Sequence, residues 1–373
     1  MAEPILVFNE NKNSTILKNL SQVPYTVRHV KQIEENYPNN FKSITEIQAD
    51  NSTGTPPSVD QKYKFQLCEA GFLRNLVIKT TLSCSDAQAD NSNMIERLGV
   101  RLYSNIELVQ NGRVIFTNNP SYILNRISDS EYQKQSNYLR IVEATDWTGT
   151  TAVDVYTPLF SWIFDTQENN ILLDFHKDLE IILTVNSITY DSAINYFNPT
   201  LICFRTCYED DFVHSYIRQN YYTNTTNYLT YDIRTLKTPL ISATSSASMF
   251  IQVPCLVSCI HCAVINSDYT STNIKKVTLK LGQRVIMQTD KLMNLLNTDL
   301  LAGDNGQNEV SVYLGNKNRK GHSGSIDMSG QAFELIIDYV PLTQDATLWV
   351  NLEYLQILKA YQDNGKFSSG LIH

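Results

Sequence analysis

Short stretches of alternating apolar and polar residues recur along the chain. In 177–185, four apolar side chains at every second position (Leu179, Ile181, Leu183 and Val185) are separated by residues such as Glu180 and Thr184. The segment 345–357 has the same rhythm, with apolar residues at Leu348, Val350, Leu352 and Tyr354. A period of two predicts half-buried strands. Further strands are expected in 71–82 and 247–265, so the pattern favours an all-β protein.

One segment of this pattern occurs twice in the sequence. Residues 106–117 read IELVQNGRVIFT, and residues 277–288, which begin 171 positions later, read VTLKLGQRVIMQ. In the first copy Asn111 and Gly112 stand between two apolar runs, which predicts a hairpin with a type I′ turn. The second copy offers one glycine, Gly282, at the same place. Both copies therefore predict a strand, a tight turn and a second strand.

A helix is expected after each hairpin. Asn119 has the side chain of an N-cap residue and Pro120 suits the first helical position. Asp290, again 171 positions further on, precedes the apolar pattern of 291–297. We also match 177–185 with 345–357, at an offset near 167. A repeat of about 170 residues is too long for a solenoid and indicates two copies of a whole domain.

The fold class predicted from this duplication is all-β with short helices, as two tandem jelly-roll β-barrels about 170 residues apart. Jelly rolls and sandwiches close two sheets over one core, as half-buried strands require. Two unrelated β domains that share a hairpin are the alternative. The expected organisation is an N-terminal arm (1–55), jelly roll one (56–207), a linker (208–230), jelly roll two (231–360) and a C-terminal tail (361–373).

Composition narrows the classes of function. The 373 residues carry a formal net charge of −8, and no basic cluster offers the counter-charge that wrapping of nucleic acid needs. No apolar stretch approaches the roughly 18 residues of a membrane span, and the N-terminus lacks the pattern of a signal peptide. Seven cysteines, an odd number, fit free thiols. We expect a protein made in the cytoplasm and not secreted.

Candidate chemistry is sparse. The segment 321–325 lacks the final glycine of a nucleophile elbow. Cysteine and histidine cluster at Cys255, Cys259, His261 and Cys262, with a further pair at Cys203 and Cys207. On a strand the first three share a face, but Cys255 and Cys259 would lie roughly 13 Å apart, too far for one ion. The sequence therefore predicts buried free cysteines, and it predicts no catalytic residue, cofactor site or metal site. A structural metal held by this cluster, which would need a bend in the strand, is the alternative.

The segment 153–185 carries a resemblance to a known family. An aromatic run at Phe160, Trp162 and Phe164, taken as a strand, is followed by an apolar turn (171–176) and the alternating strand 179–185. This order resembles the end of the first barrel in double jelly-roll major capsid proteins of icosahedral viruses, many of which contain a membrane. The hairpin in 106–115, followed by a helix rich in Tyr and Leu, is also similar to a strand pair of that family.

The resemblance implies a structural role in a virion. Family members form homotrimers whose six barrels give a pseudo-hexameric outline, and these capsomers tile an icosahedral shell. The implied partners are other copies of the chain, neighbouring capsomers, minor capsid or vertex proteins and, in viruses that have one, an internal membrane. Direct sequence-specific contact with nucleic acid is not implied. The loose arm and tail suit ordering on assembly.

Two other functions are compatible with a duplicated β domain. A tandem β-sandwich can serve as a receptor- or glycan-binding module, such as a vertex or spike protein, through exposed Trp and Tyr side chains. However, Trp147, Trp162 and Trp349 lie mostly within or beside predicted strands, and we expect Trp162 and Trp349 in the core or at an interface. A two-domain cupin enzyme would need an H-x-H metal motif, and the chain has none. We therefore expect a protein that is not an enzyme.

Overall fold

The computed structural model describes residues 40–51, 57–67, 70–86, 97–130, 132–143, 147, 149–165, 171–173, 178–187, 193–208, 226–266, 270–290, 308–314, 324–363 and 366–372. These residues form two barrels in chain order. No helix among them is long and apolar enough to cross a membrane.

Barrel one consists of two antiparallel sheets that face each other. The first sheet has the order β1-β9-β3-β6, with β7 paired to β3, and the second has the order β2-β8-β4-β5. The strands are β1 (Asn40–Gln48), β2 (Lys62–Gln66), β3 (Phe72–Cys84), β4 (Tyr103–Gln110), β5 (Arg113–Asn118), β6 (Val153–Pro158), β7 (Ile171–Leu172), β8 (Leu179–Val185) and β9 (Ile194–Tyr208).

Barrel two repeats this arrangement. Its first sheet has the order β10-β19-β12-β13, with β16 and β17 also paired to β12 and β20 paired to β19, and its second has the order β11-β18-β14-β15. The strands are β10 (Thr226–Leu240), β11 (Ser246–Ile251), β12 (Leu256–Asn266), β13 (Ser271–Thr272), β14 (Ile274–Leu281), β15 (Arg284–Asp290), β16 (Glu309–Tyr313), β17 (Ile326–Asp327), β18 (Phe333–Tyr339), β19 (Ala346–Asp363) and β20 (Lys366–Ile372).

The strand order in each barrel is that of a jelly roll, as predicted. In barrel one the first strand, β1, pairs with the last, β9, and β2 pairs with β8. In barrel two β10 likewise pairs with β19 and β11 with β18, and the additional strand β20 pairs with β19. Each barrel also has its own hydrophobic core. The predicted fold class of two tandem jelly rolls is therefore confirmed.

The repeated hairpin is confirmed down to its register. Leu108 pairs with Phe116 and Leu279 with Met287, and in each hairpin the register shifts just after that pair. Both hairpins thus carry a β-bulge at the same position of the repeat. Asn111 and Gly112 both have positive φ, as a type I′ turn requires, whereas in the second turn only Gly282 does.

The described residues of barrel one include four helices: α1 (Leu98–Arg101), α2 (Pro120–Ser128), α3 (Tyr132–Val142) and α4 (Trp162–Asp165). Helix α2 begins as predicted, because the Asn119 side chain accepts a hydrogen bond from the Tyr122 backbone N–H and Pro120 occupies the first turn. The matching helix expected after Asp290 lies outside the described residues.

Two expectations about local structure are wrong. The segment 177–185 does not correspond to 345–357: β8 pairs with β4 as β18 pairs with β14, so β18 is its counterpart, and β19 corresponds to β9. Apolar and polar residues alternate in all of these strands, and this alternation alone does not reveal which strand pairs with which. The aromatic run is also not a strand, because β6 ends at Pro158 and 162–165 form α4.

The expected boundaries also need correction at three places. Strand β1 lies in the predicted arm but pairs along its length with β9 of barrel one. Strand β10 begins within the predicted linker, and β20 lies in the predicted tail but pairs with β19. These strands were hard to predict from the sequence, because polar, Asn-rich segments flank them. In each strand, apolar and polar residues alternate over only a few positions.

Candidate functional site at the junction of the barrels

Helix α2 of barrel one lies across the outer face of the first sheet of barrel two. Its N-cap Asn119 donates through Nδ2 to Thr235 Oγ1 on β10 (2.8 Å) and to Asn351 Oδ1 on β19 (2.9 Å). Asn351 in turn donates to Ser121 Oγ, 3.2 Å away. Asn119 therefore starts the helix and also ties it to two strands of the other barrel.

Apolar side chains of barrel two complete the core of barrel one. Ile233, Ala263 and Ile265 belong to the buried cluster of barrel one, and Trp349 packs against it. The Trp349 ring also lies under the Lys237 ammonium, 3.6 Å from the ring centroid. The junction is thus a continuous packed contact, which fixes the two barrels relative to each other.

A buried charged cluster occupies the centre of the junction. Glu353 on β19 is 1% exposed and its Oε1 accepts a hydrogen bond from the Tyr122 hydroxyl (2.6 Å). Arg126 Nη1 donates to the same oxygen (3.3 Å), and His261 Nε2 lies 3.1 Å from it. Because a buried carboxylate without partners would be costly, these contacts make the position of α2 specific.

A second acidic residue is bound at the edge of the junction. Glu309 on β16 pairs with Arg97 of barrel one (Oε1 to Nη1, 3.1 Å) and accepts a hydrogen bond from Ser128 at the end of α2 (2.9 Å). Ser271 also donates to its carboxylate. Both ends of α2 therefore contact polar groups of barrel two.

Asp232 on β10 lies where barrel two meets β5. Its carboxylate accepts hydrogen bonds from the Ile233 backbone N–H (2.8 Å) and the Tyr354 hydroxyl (2.9 Å), and it contacts Thr117 of β5. Burial outweighs these bonds and raises the pKa of Asp232 to about 6. The pKa of Tyr354 is also raised, first by burial and then by the neighbouring carboxylate.

The predicted cysteine cluster is divided between two faces of β12. A register shift between Val257 and Cys259 changes which way successive side chains point. Cys255 therefore packs against the core of barrel two with Cys262, while Cys259 and His261 face the junction. The six cysteines in the described residues, which include Cys203 and Cys207, are free thiols. Burial raises the pKa of Cys262 to about 12 and that of Cys255 to about 11.

The tryptophans are placed differently from one another. Trp147 is buried in barrel one and donates to the Thr151 carbonyl (3.1 Å). Trp349 lies at the junction, and the side chain of Trp162 is outside the described set. Sequence reasoning missed Glu353 and Arg126, because these two residues, which meet at the junction, are 227 positions apart in the chain.

Comparison with solved structures places this arrangement among known folds. VP54 of PBCV-1, fitted into a reconstruction of the virophage Sputnik, superposes with a TM-score of 0.70 over 90% of this chain and 98% of its own, at 12% identity. The chain has the double jelly-roll fold. The Faustovirus major capsid protein gives a TM-score of 0.59 at 9% identity, with 85% of this chain and 90% of that chain covered.

The mavirus major capsid protein is similar to the double jelly roll described here at a TM-score of 0.51 and 10% identity, covering 88% of this chain and 90% of its own. No protein-family model matches the sequence, and no curated protein sequence matches it. The likeness is thus one of fold, and it extends over most of the chain.

Proposed function

We propose that this double jelly-roll chain is a viral major capsid protein that forms pseudo-hexameric homotrimers and tiles an icosahedral shell. The solved proteins with the same two-barrel arrangement include capsid proteins of Faustovirus and mavirus. Because a shared fold alone does not carry function, the proposal rests on a property of this chain: surfaces that are covered at its internal junction are repeated elsewhere and left exposed.

The first repeated surface is the outer face of β1. The sheet registers align β1 with β10, so that Ile44 of barrel one corresponds to Ile233 of barrel two. Ile233 is 8% exposed because barrel one covers it, whereas Ile44 is 63% exposed. In barrel two the corresponding strand, β10, lies at the interface between the barrels. The exposure of Ile44 on β1 therefore favours a binding partner at the same place in barrel one.

The second repeated surface is β15, the counterpart of β5. In β5, Ile115 is 1% exposed and belongs to the core that the junction completes. Its counterpart Ile286 is 36% exposed, and the adjacent Val285 is 47% exposed. Barrel two therefore exposes the counterpart of β5, a strand that barrel one uses at the internal junction.

These two surfaces complement each other. The junction joins β5 of one barrel to β10 of the next, so we infer that β15 of one chain meets β1 of a second chain in the same way. Such a head-to-tail contact closes into a ring if its rotation is suitable. With two barrels per chain, three chains supply a ring of six, which is the pseudo-hexameric capsomer proposed here.

Charge substitution on the two surfaces tests the ring. Ile44→Asp and Ile286→Asp should each convert trimers to monomers without unfolding the chain, because a carboxylate would be buried without a partner in the contact. Sedimentation velocity gives the oligomer, and circular dichroism checks folding.

The matched control is Ile241→Asp, an equally drastic change at a residue that is 71% exposed and lies in the turn between β10 and β11. This variant should remain trimeric. Trimers that survive both Ile44→Asp and Ile286→Asp would contradict the proposed contact, and a wild-type chain that is already monomeric would contradict the capsid function itself.

The remaining assignments follow from the same proposal. The chain would be synthesised in the host cytoplasm, not secreted, and then found in the virion, with a structural and not an enzymatic role. Its partners would be its own copies, neighbouring capsomers, minor capsid or vertex proteins and, where present, an internal membrane. A net charge of −8 is consistent with no direct binding of the genome.

A further inference from the structure

Three side chains with metal-binding chemistry converge beneath helix α2. Cys259 and His261 of β12 and Glu353 of β19 are all buried, and one ligand atom from each lies within 4.8 Å of the other two. Cys259 is the register partner of Glu353, and His261 is two residues further along the same face. Two central strands thus hold all three groups, which gives the cluster a rigid support.

The orientation of His261 is the second observation. Its Nδ1 lies 2.7 Å from Ser311 Oγ, whereas its Nε2 is fully buried and has no hydrogen-bond partner among the described residues, although Glu353 Oε1 is 3.1 Å away. If Nδ1 donates to Ser311, Nε2 presents a lone pair towards a carboxylate oxygen. A cation bound by Nε2 and by the Glu353 carboxylate would turn this repulsion into coordination.

The surroundings of His261 match those of a metal ligand. Metal-bound histidines usually donate their other ring N–H to a neighbouring polar group, which fixes the ring. Here Ser311 holds Nδ1, and Asp129 Oδ2 lies 3.9 Å from the same nitrogen. Asp129 itself accepts a hydrogen bond from Tyr313 (2.7 Å). The ring is therefore fixed from behind, with Nε2 directed at the cluster.

Glu353 can coordinate and still hold α2. Its contacts with Tyr122 and Arg126 both use Oε1. A carboxylate has two oxygens with four lone-pair positions, so Oε2 can bind a cation while Oε1 keeps the helix attached. The Arg126 charge opposes a cation nearby, but a thiolate and a carboxylate together supply the two negative charges that balance a divalent ion.

The geometry points to a buried transition-metal site in which the Cys259 thiolate, His261 Nε2 and Glu353 bind one Zn²⁺. Sulfur, nitrogen and oxygen in one ligand set favour zinc over magnesium or calcium, which take oxygen ligands. Three protein ligands leave one position of a tetrahedron, and the Tyr122 hydroxyl or a water molecule would fill it. The ion would then strengthen the attachment of α2 to barrel two, since ligand binding stabilises the folded state.

Metal content and spectroscopy test this site. The full-length protein is treated with a chelator, loaded with Zn²⁺ or Co²⁺, passed over a sizing column and analysed for bound metal. We expect one ion per chain, a thiolate-to-cobalt absorption band and a higher melting temperature with Zn²⁺. Cys259→Ser should remove the band and weaken binding by at least about tenfold, and His261→Gln should weaken it similarly.

Cys262→Ser is the matched control, because Cys262 lies on the same strand, is equally buried and faces the core of barrel two instead. It should keep the ion and the band. Wild-type protein with only trace metal, or binding unchanged in Cys259→Ser, would overturn the site. If the variants do not fold, X-ray absorption of the wild-type zinc complex decides: one sulfur ligand supports the site, and an all-oxygen-and-nitrogen shell overturns it.

Discussion

At the scale of single residues, the junction combines buried charge with hydrogen bonds from both barrels. Glu353 lies at the centre of barrel two's outer sheet face, yet Tyr122 and Arg126 of barrel one contact its Oε1. Removing one such partner would leave a buried charge uncompensated, which is more damaging than losing an exposed ion pair. The junction residues therefore determine a single arrangement of the two barrels.

Asp232 should make stability depend on pH. Its pKa is raised to about 6 from an ordinary value of 3.8, because it is buried between the barrels. Between those values the folded state binds more protons than the unfolded state, so the free energy of unfolding should fall as pH rises from 4 to 6, by roughly 3 kcal/mol at most.

Asp232→Asn should remove this part of the pH dependence, because an amide does not ionise. Urea unfolding midpoints between pH 4 and pH 7 provide the measurement. Asp154→Asn is the control, since Asp154 lies in an exposed pair with Lys79 (3.2 Å). A slope that stays the same in Asp232→Asn would show that the carboxyl group does not titrate in this range.

At the scale of elements, α2 links the two barrels through its N-cap residue, Asn119. Asn119 accepts a hydrogen bond from the Tyr122 N–H as a helix cap and donates to Thr235 and Asn351 of barrel two. Serine can replace the acceptor but not the two-armed donor. Two substitutions at this position therefore separate the stability of the helix from that of the junction.

Asn119→Ala should lose both functions and Asn119→Ser only the second. Loss of the cap costs about 1 kcal/mol, and the unpaired partners in barrel two add a further cost of about 1–3 kcal/mol. We expect the alanine variant to be less stable than the serine variant, which in turn is less stable than wild type, in thermal unfolding. Equal stability of wild type and Asn119→Ser would show that the bonds to barrel two contribute nothing.

Local chemistry in the sequence predicted some elements well. Asn111-Gly112 specifies a turn with two positive φ values, and Asn119-Pro120 specifies a helix start, so both were predicted correctly from neighbouring residues alone. The strict alternation of apolar and polar residues in β8 likewise predicted which face of the strand is buried. Such features need no knowledge of distant parts of the chain.

Long-range pairing could not be predicted in the same way. Strands β8 and β19 both alternate, so rhythm suggested a correspondence that the sheet register contradicts. A bulge after Val257 moved Cys255 to the opposite face from Cys259, and a bulge leaves no mark in the composition. Glu353 joined the cysteine and histidine cluster only through strand pairing, which single-sequence patterns do not record.

At the scale of the whole molecule, the duplication explains the proposed assembly. The internal junction covers β5 of barrel one and β10 of barrel two. It leaves β1 and β15 exposed, with apolar residues at the positions that correspond to the covered ones. A chain that formed only this internal junction would expose Ile44 and Ile286 to water. In the proposed assembly, repetition of the same contact between chains would cover both surfaces and give a threefold particle with six similar barrels.

The mass of the purified protein in solution tests this central claim most directly. Light scattering on a sizing column should give about 127 kDa, three times the 42.5 kDa chain, because each chain offers one copy of each half of the contact. A single species at 42.5 kDa at micromolar concentration would contradict the account, and the exposed strands β1 and β15 would then need another explanation.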